Sequence, residues 1–162
     1  MNSGSPQYQF TFENGPLDYV RMKTHRCIIV DGDPGAGKTC LAQIIGQKTG
    51  AKIKSLDEYL MENGAPYLDQ LKYDLLAKEI QETDRVIIEG VCVLGAIERL
   101  NVKHDHHIFL QSMKGFGGNW EFEEYLRPNV DLPKSTLRRE VVLYYRERKP
   151  HEICDKIGWQ AE

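Results

Sequence analysis

The sequence predicts an α/β protein, a parallel sheet flanked by helices in three layers. Three observations carry that expectation. Compact apolar runs of strand length, such as Cys27 to Val30 and Val86 to Ile88, alternate with longer stretches of helical periodicity. Strands that alternate with helices pair in parallel through right-handed crossovers. No repeat, low-complexity tract or linker divides the chain, so residues 1–162 read as a single domain.

Taken in order, Met1 to Pro6 read as a disordered tail. Tyr8 to Phe12 alternate aromatic and polar residues, and Leu17 to Met22 alternate loosely. Glu13-Asn14-Gly15-Pro16 between them is a turn signal. An N-terminal β-hairpin within residues 1–24 is therefore expected, covering a sheet edge or pairing with another chain. Cys27 to Val30 form the first core strand. The helix after it runs from the glycine-rich turn to about Lys48 and stops at Gly50.

Ala51 to Leu56 read as a second strand, and Lys52 with Lys54 place it at an edge. Asn63 to Pro66 form a loop. Leu68, Leu71, Leu75, Leu76 and Ile80 predict a helix from Leu68 to Gln81. Arg85 to Glu89 is a buried strand ended by Gly90, Val91 to Leu100 a short helix, and His106 to Leu110 a fourth strand. Ser112 to Asn119, with three glycines, reads as mobile, and Trp120 to Leu126 as a helical turn or two. Ser135 caps a helix from Thr136 to Arg148 that Pro150 ends, and Glu152 to Trp159 supply a last strand.

At 41% hydrophobic and 28% charged, the composition is that of an ordinary soluble protein. A formal net charge of −3 argues against a nucleic-acid binder that relies on a broad basic surface. No apolar run reaches membrane-spanning length and the first residues do not resemble a signal peptide, so a cytoplasmic protein is expected. Cys27, Cys40, Cys92 and Cys154 form no C-x-x-C pair and read as reduced thiols.

The chemistry concentrates in CIIVDGDPGAGKTCL, Cys27 to Leu41. Gly32 to Thr39 fit G-x-x-x-x-G-K-[ST], between a strand and a helix. Such glycines let backbone N–H groups converge on phosphate oxygens, and the helix N-terminus adds partial positive charge. The phosphate-binding stretch is therefore Gly32, Asp33, Pro34, Gly35, Ala36, Gly37, Lys38, Thr39 and Cys40. Lys38 is expected on the β- and γ-phosphates of a nucleoside triphosphate and Thr39 on Mg²⁺. Strand-end acids converge on the same crevice: Asp31 or Asp33, then Asp57, then Glu89. Asp57 can accept a proton from a substrate hydroxyl, and Glu89 can hold Mg²⁺ through water.

Arg139 and Arg146, seven positions apart, share nearly one helix face. They and Arg138 can close over phosphates, or form a solvated face paired with Glu140 and Glu147; Arg127 is a further contact of the same kind. His104 and His106 can face together as a metal site, or simply form a polar entry to the fourth strand.

On IIVDGDPGAGKT, SLDEYL and RVIIEG, the chain resembles the uridine kinase and phosphoribulokinase group of P-loop kinases, over roughly Cys27 to Ile157. The tail YYRERKPHEICDKI resembles that group's closing segment. The resemblance implies a P-loop NTPase-type sheet, with Asp57 and Tyr59 in a D-x-[FY] setting that acts on the acceptor hydroxyl, and Glu89-Gly90 closing the third strand. It also implies an arginine lid, expected in residues 112–148 with Arg138 and Arg139. ATP, Mg²⁺ and a small-molecule acceptor, a nucleoside or sugar-like alcohol, follow as expected partners. Two alternatives stand beside this kinase: a nucleotide-binding regulatory module, and an NTPase without an acceptor.

Overall fold

The computed structural model describes residues 8–112, 126–129 and 131–160. A six-stranded sheet organises them: β1 (Phe10–Phe12), β2 (Cys27–Gly32), β3 (Lys52–Ser55), β4 (Val86–Glu89), β5 (His106–Gln111) and β6 (Lys156–Gln160). Its order is β1-β6-β5-β2-β4-β3. All neighbours run parallel except β1, which is antiparallel to β6. The helices are α1 (Tyr19–Met22), α2 (Lys38–Thr49), α3 (Tyr73–Gln81), α4 (Val93–Arg99), α5 (Thr136–Arg148) and α6 (Pro150–Ile153).

The two-residue period of a strand explains the three layers. Cys27 and Ile29 point into one apolar cluster with Val86, Ile88, Phe109 and residues of α3, α4 and α5. Ile28 and Val30 point into the other, with Ile87, Ile108, Leu110 and the α2 residues Leu41, Ala42 and Ile45. β2 is buried along its whole length. Each fully buried isoleucine there contributes roughly 1.5–3 kcal/mol of transfer free energy. β3 lies at the edge, as its lysines predict.

The N-terminal hairpin is not formed. Tyr19 to Met22 form a short helix instead, capped by Asp18, whose Oδ1 accepts the Arg21 N–H at 3.0 Å. Leu17 and Met22 are thereby buried together. The first arm pairs with β6 instead, Phe10 opposite Gln160, so it covers an edge of the sheet and makes the sheet mixed.

Other boundaries also shift. The predicted 68–81 helix splits into a 3-10 turn, Tyr67–Gln70, and α3. An antiparallel bridge between Leu60 and Leu71 separates them, supported by Met61 N–H to Gln70 O at 2.8 Å. The Ser135 side chain makes no capping bond, and Pro150 starts α6 after Lys149 turns left-handed. The tail expected at 1–6, the mobility expected of the glycines within 115–118 and the helical turn expected at 120–125 all fall outside the described residues. Among the described residues, no helix is long and apolar enough to cross a membrane.

Candidate active site

The site is built where β2 meets α2. Gly32 has φ +142°, and a Cβ there would lie 2.0 Å from the Leu110 carbonyl oxygen. Only glycine lets β2 pass so close to β5 at this point. Gly37, at φ +89°, is the N-cap residue that precedes α2. At Gly35 an added Cβ would meet nothing within 4 Å, so the turn is open on that side. Within the turn, the Asp33 N–H donates to Leu110 O at 2.9 Å and the Ala36 N–H to Asp33 O at 3.1 Å.

Lys38 is the first residue of α2 and only 8% exposed. Its Nζ donates to Asp33 O at 2.5 Å. Burial pushes the amine's pKa down, opposed by the charges of Asp31, Glu89, Asp33 and Asp57. The charges of the strand-end acids singled out in the sequence thus all act on this one ammonium.

The next residue, Thr39, donates its hydroxyl to Glu89 Oε1 at 3.1 Å, across the pairing of β2 with β4. Glu89 is buried at the end of β4. Asp57 sits one element further out, in a 3-10 turn, Leu56–Tyr59, immediately after β3. It is exposed, and its Oδ1 accepts the Tyr67 hydroxyl at 2.8 Å. Burial raises the Tyr67 phenol well above its ordinary value, and the Asp57 charge adds to the shift. Tyr59, the aromatic partner expected beside Asp57, instead turns its hydroxyl to Glu79.

Asp31 and Asp33 occupy a position the sequence did not reveal. Asp31 is 0% exposed and Asp33 2%. The Tyr144 hydroxyl donates to Asp31 Oδ2 at 2.5 Å, and the Tyr145 hydroxyl to Asp33 Oδ1 at 2.6 Å. Gly32 N–H donates to Asp31 Oδ1 and Ser112 N–H to Asp33 Oδ2. Burial raises the Asp33 pKa, and its bonds to Tyr145 and Ser112 moderate the rise. Both carboxylates thus bond inward rather than standing open at the strand end. The available signal was two neighbouring tyrosines on a helix otherwise rich in charge.

Arg138 and Arg139 lie exposed in the first turn of α5. Arg146 donates to the Arg127 carbonyl at 2.8 Å, and Arg148 pairs with Glu98. Glu140 accepts the Tyr67 N–H at 2.8 Å. Tyr67, Cys92, Glu140 and Tyr144 line one side of a cavity of about 360 Å³ between α4, α5 and the Tyr67–Gln70 turn. The histidines do not gather as a metal site. His106 stacks on His25 at 5.5 Å and His104 meets His107 edge-on at 5.8 Å. Among the described residues no group of three or more His, Cys, Asp or Glu is placed to hold a metal ion. The four cysteines are free thiols.

No protein-family model and no curated sequence matches the chain. Solved structures do. A possible uridine kinase from Bacillus stearothermophilus superposes with a TM-score of 0.50 at 12% identity, covering 81% of this chain and 86% of its own. Shikimate kinase from Aquifex aeolicus gives 0.47 at 16% identity, with 81% and 84% covered. Shikimate kinase from Bacteroides thetaiotaomicron gives 0.46 at 18%, with 82% and 85% covered. At these identities the likeness concerns the fold alone, a mostly parallel open sheet flanked by helices.

Proposed function

We propose that the protein is an ATP-dependent phosphotransferase that moves the γ-phosphoryl group to a hydroxyl of a small molecule. The observation that carries this reading is the contact of Thr39 with Glu89, made beside the buried Lys38 at the start of α2. It joins a hydroxyl, a carboxylate and an ammonium where a phosphate loop needs them.

The residues present fit Mg·ATP. The turn is open above Gly35, and Gly35 and Gly37 take the positive φ with which a phosphate loop can turn its backbone N–H groups toward an anion. The N–H groups of Gly35, Gly37, Lys38, Thr39 and Cys40 would hold phosphate oxygens, with Gly32, Pro34 and Ala36 shaping the turn and Asp33 bracing it from behind. Lys38 would clamp the β- and γ-phosphates, while Thr39 and Glu89 would hold Mg²⁺. Bound Mg·ATP supplies the electrophilic phosphorus and neutralises charge between the phosphates. Asp57 would orient the acceptor hydroxyl and take its proton. Arg138 and Arg139 would neutralise charge that builds on the transferring group.

A transferase is favoured over a plain nucleotide binder by the cavity beside Tyr67, whose hydroxyl is bonded to Asp57. The test is a screen of nucleosides, sugars and vitamins for acceptor-dependent ADP release. Release that rises with one acceptor, and that Asp57→Asn removes, supports the reading. Slow ATP hydrolysis indifferent to every acceptor overturns it in favour of an NTPase.

A further inference from the structure

The phosphate loop is fastened from behind by a helix that follows it in sequence by about a hundred residues. Tyr145 of α5 is fully buried, with its ring edge-on to Phe109 at 5.4 Å, and its hydroxyl ends on Asp33 Oδ1 at 2.6 Å. Asp33 is the second residue of the loop, and each of its polar atoms is engaged. Its N–H goes to Leu110 O, its carbonyl takes Lys38 Nζ and the Ala36 N–H, and its second carboxylate oxygen takes the Ser112 N–H. Asp33 is therefore a junction between the loop, the end of β5 and α5.

We propose that Tyr145 is a positioning residue for the phosphate loop, acting through Asp33. This inference rests on the nucleotide-binding reading above. The chemistry is simple. Lys38 is anchored on the Asp33 carbonyl, and the direction of that carbonyl depends on where the Asp33 side chain is held. A carboxylate that accepts one hydroxyl and one amide N–H has a defined orientation. With the hydroxyl gone, it retains only the Ser112 bond and the buried charge is under-satisfied. The loop then samples several arrangements, and an anion must order it before binding. Tyr144 does not duplicate this role, because its hydroxyl holds Asp31 on the strand and accepts the Leu94 N–H at 3.1 Å.

The test measures affinity for Mg·ADP and thermal midpoint in wild type, Tyr145→Phe, Asp33→Asn and the double variant. Phenylalanine keeps the ring packed on Phe109 and removes only the donor. Affinity is expected to fall about tenfold in Tyr145→Phe, the scale of a lost hydrogen bond to a charged group. Asp33→Asn should lose a similar factor, and the double variant no more than the larger single loss, because the two residues act as one unit. A lower midpoint with unchanged affinity makes Tyr145 only a core anchor and overturns the proposal, as do fully additive affinity losses. If Tyr145→Phe does not fold, Asp33→Asn decides: unchanged affinity there overturns the proposal. Wild-type protein that binds no Mg·ADP overturns the nucleotide reading itself, a different outcome from any of these.

Discussion

The Tyr67 hydroxyl donates to Asp57 Oδ1 at 2.8 Å, from a residue ten positions later in the chain. The bond crosses from the turn after β3 to the turn before α3. It fixes the orientation of an exposed carboxylate that would otherwise rotate freely. The phenol's raised pKa keeps it a donor throughout the neutral range. Tyr67→Phe is expected to reduce acceptor-dependent transfer by ~5–10-fold, with little change in Mg·ATP affinity, the scale of one net hydrogen bond. Single-turnover rates measured beside equilibrium ATP binding check this.

Replacing Asp57 itself goes further. Asp57→Asn keeps the side chain's size and its bond from Tyr67 but cannot take a proton. Transfer should fall by ~10²–10⁴-fold, the usual worth of a positioned general base, while ATP affinity stays near wild type. A smaller fall follows if positioning outweighs proton removal in a loose transition state. Loss of ATP binding together with transfer would place Asp57 with the metal instead.

Lys38 is buried at the start of α2, and the charges of four carboxylates act on it. Lys38→Ala should abolish most ATP-dependent turnover, by ~10²-fold or more, as expected for removal of a main electrostatic contact. Turnover equal to wild type would sink the phosphate-loop assignment, and circular dichroism would confirm that the variant folds.

The buried Asp33 carboxyl gives a pH signature. Its folded pKa is raised above the ordinary carboxyl value of 3.8, so between those two pH values the folded state binds more protons than the unfolded. Stability from this group is present at low pH and is lost as pH rises through that window. Asp33→Asn lacks the term. The stability of the variant relative to wild type should therefore climb as pH rises from below 3.8 and level off above the folded pKa. Urea midpoints across that range measure it, and a difference that is flat with pH would refute it.

Much of this was legible in the sequence for identifiable reasons. The apolar run of strand length from Cys27 to Val30, the strand-end positions of Asp57 and Glu89, and the glycine turn before Lys38 are local patterns. What escaped was non-local. Leu17 to Met22 alternate loosely enough to suggest a strand, but Asp18 caps Tyr19 to Met22 as a helix, and the β1 partner lies at the far end of the chain. The tyrosines that hold Asp31 and Asp33 stand 113 and 112 residues away, beyond any sequence period.

The pairing of Phe10 with Gln160 has a kinetic consequence. β1 is hydrogen-bonded only to β6 in the sheet order, so it has no strand to join until β6 has been synthesised and added beside β5. Closing a loop of that span carries a large entropic cost that is repaid only once the rest of the sheet exists. β1 should therefore be the last strand to gain amide protection during refolding. Until then the flank of β6 stands open, a template for the wrong partner in a crowded solution.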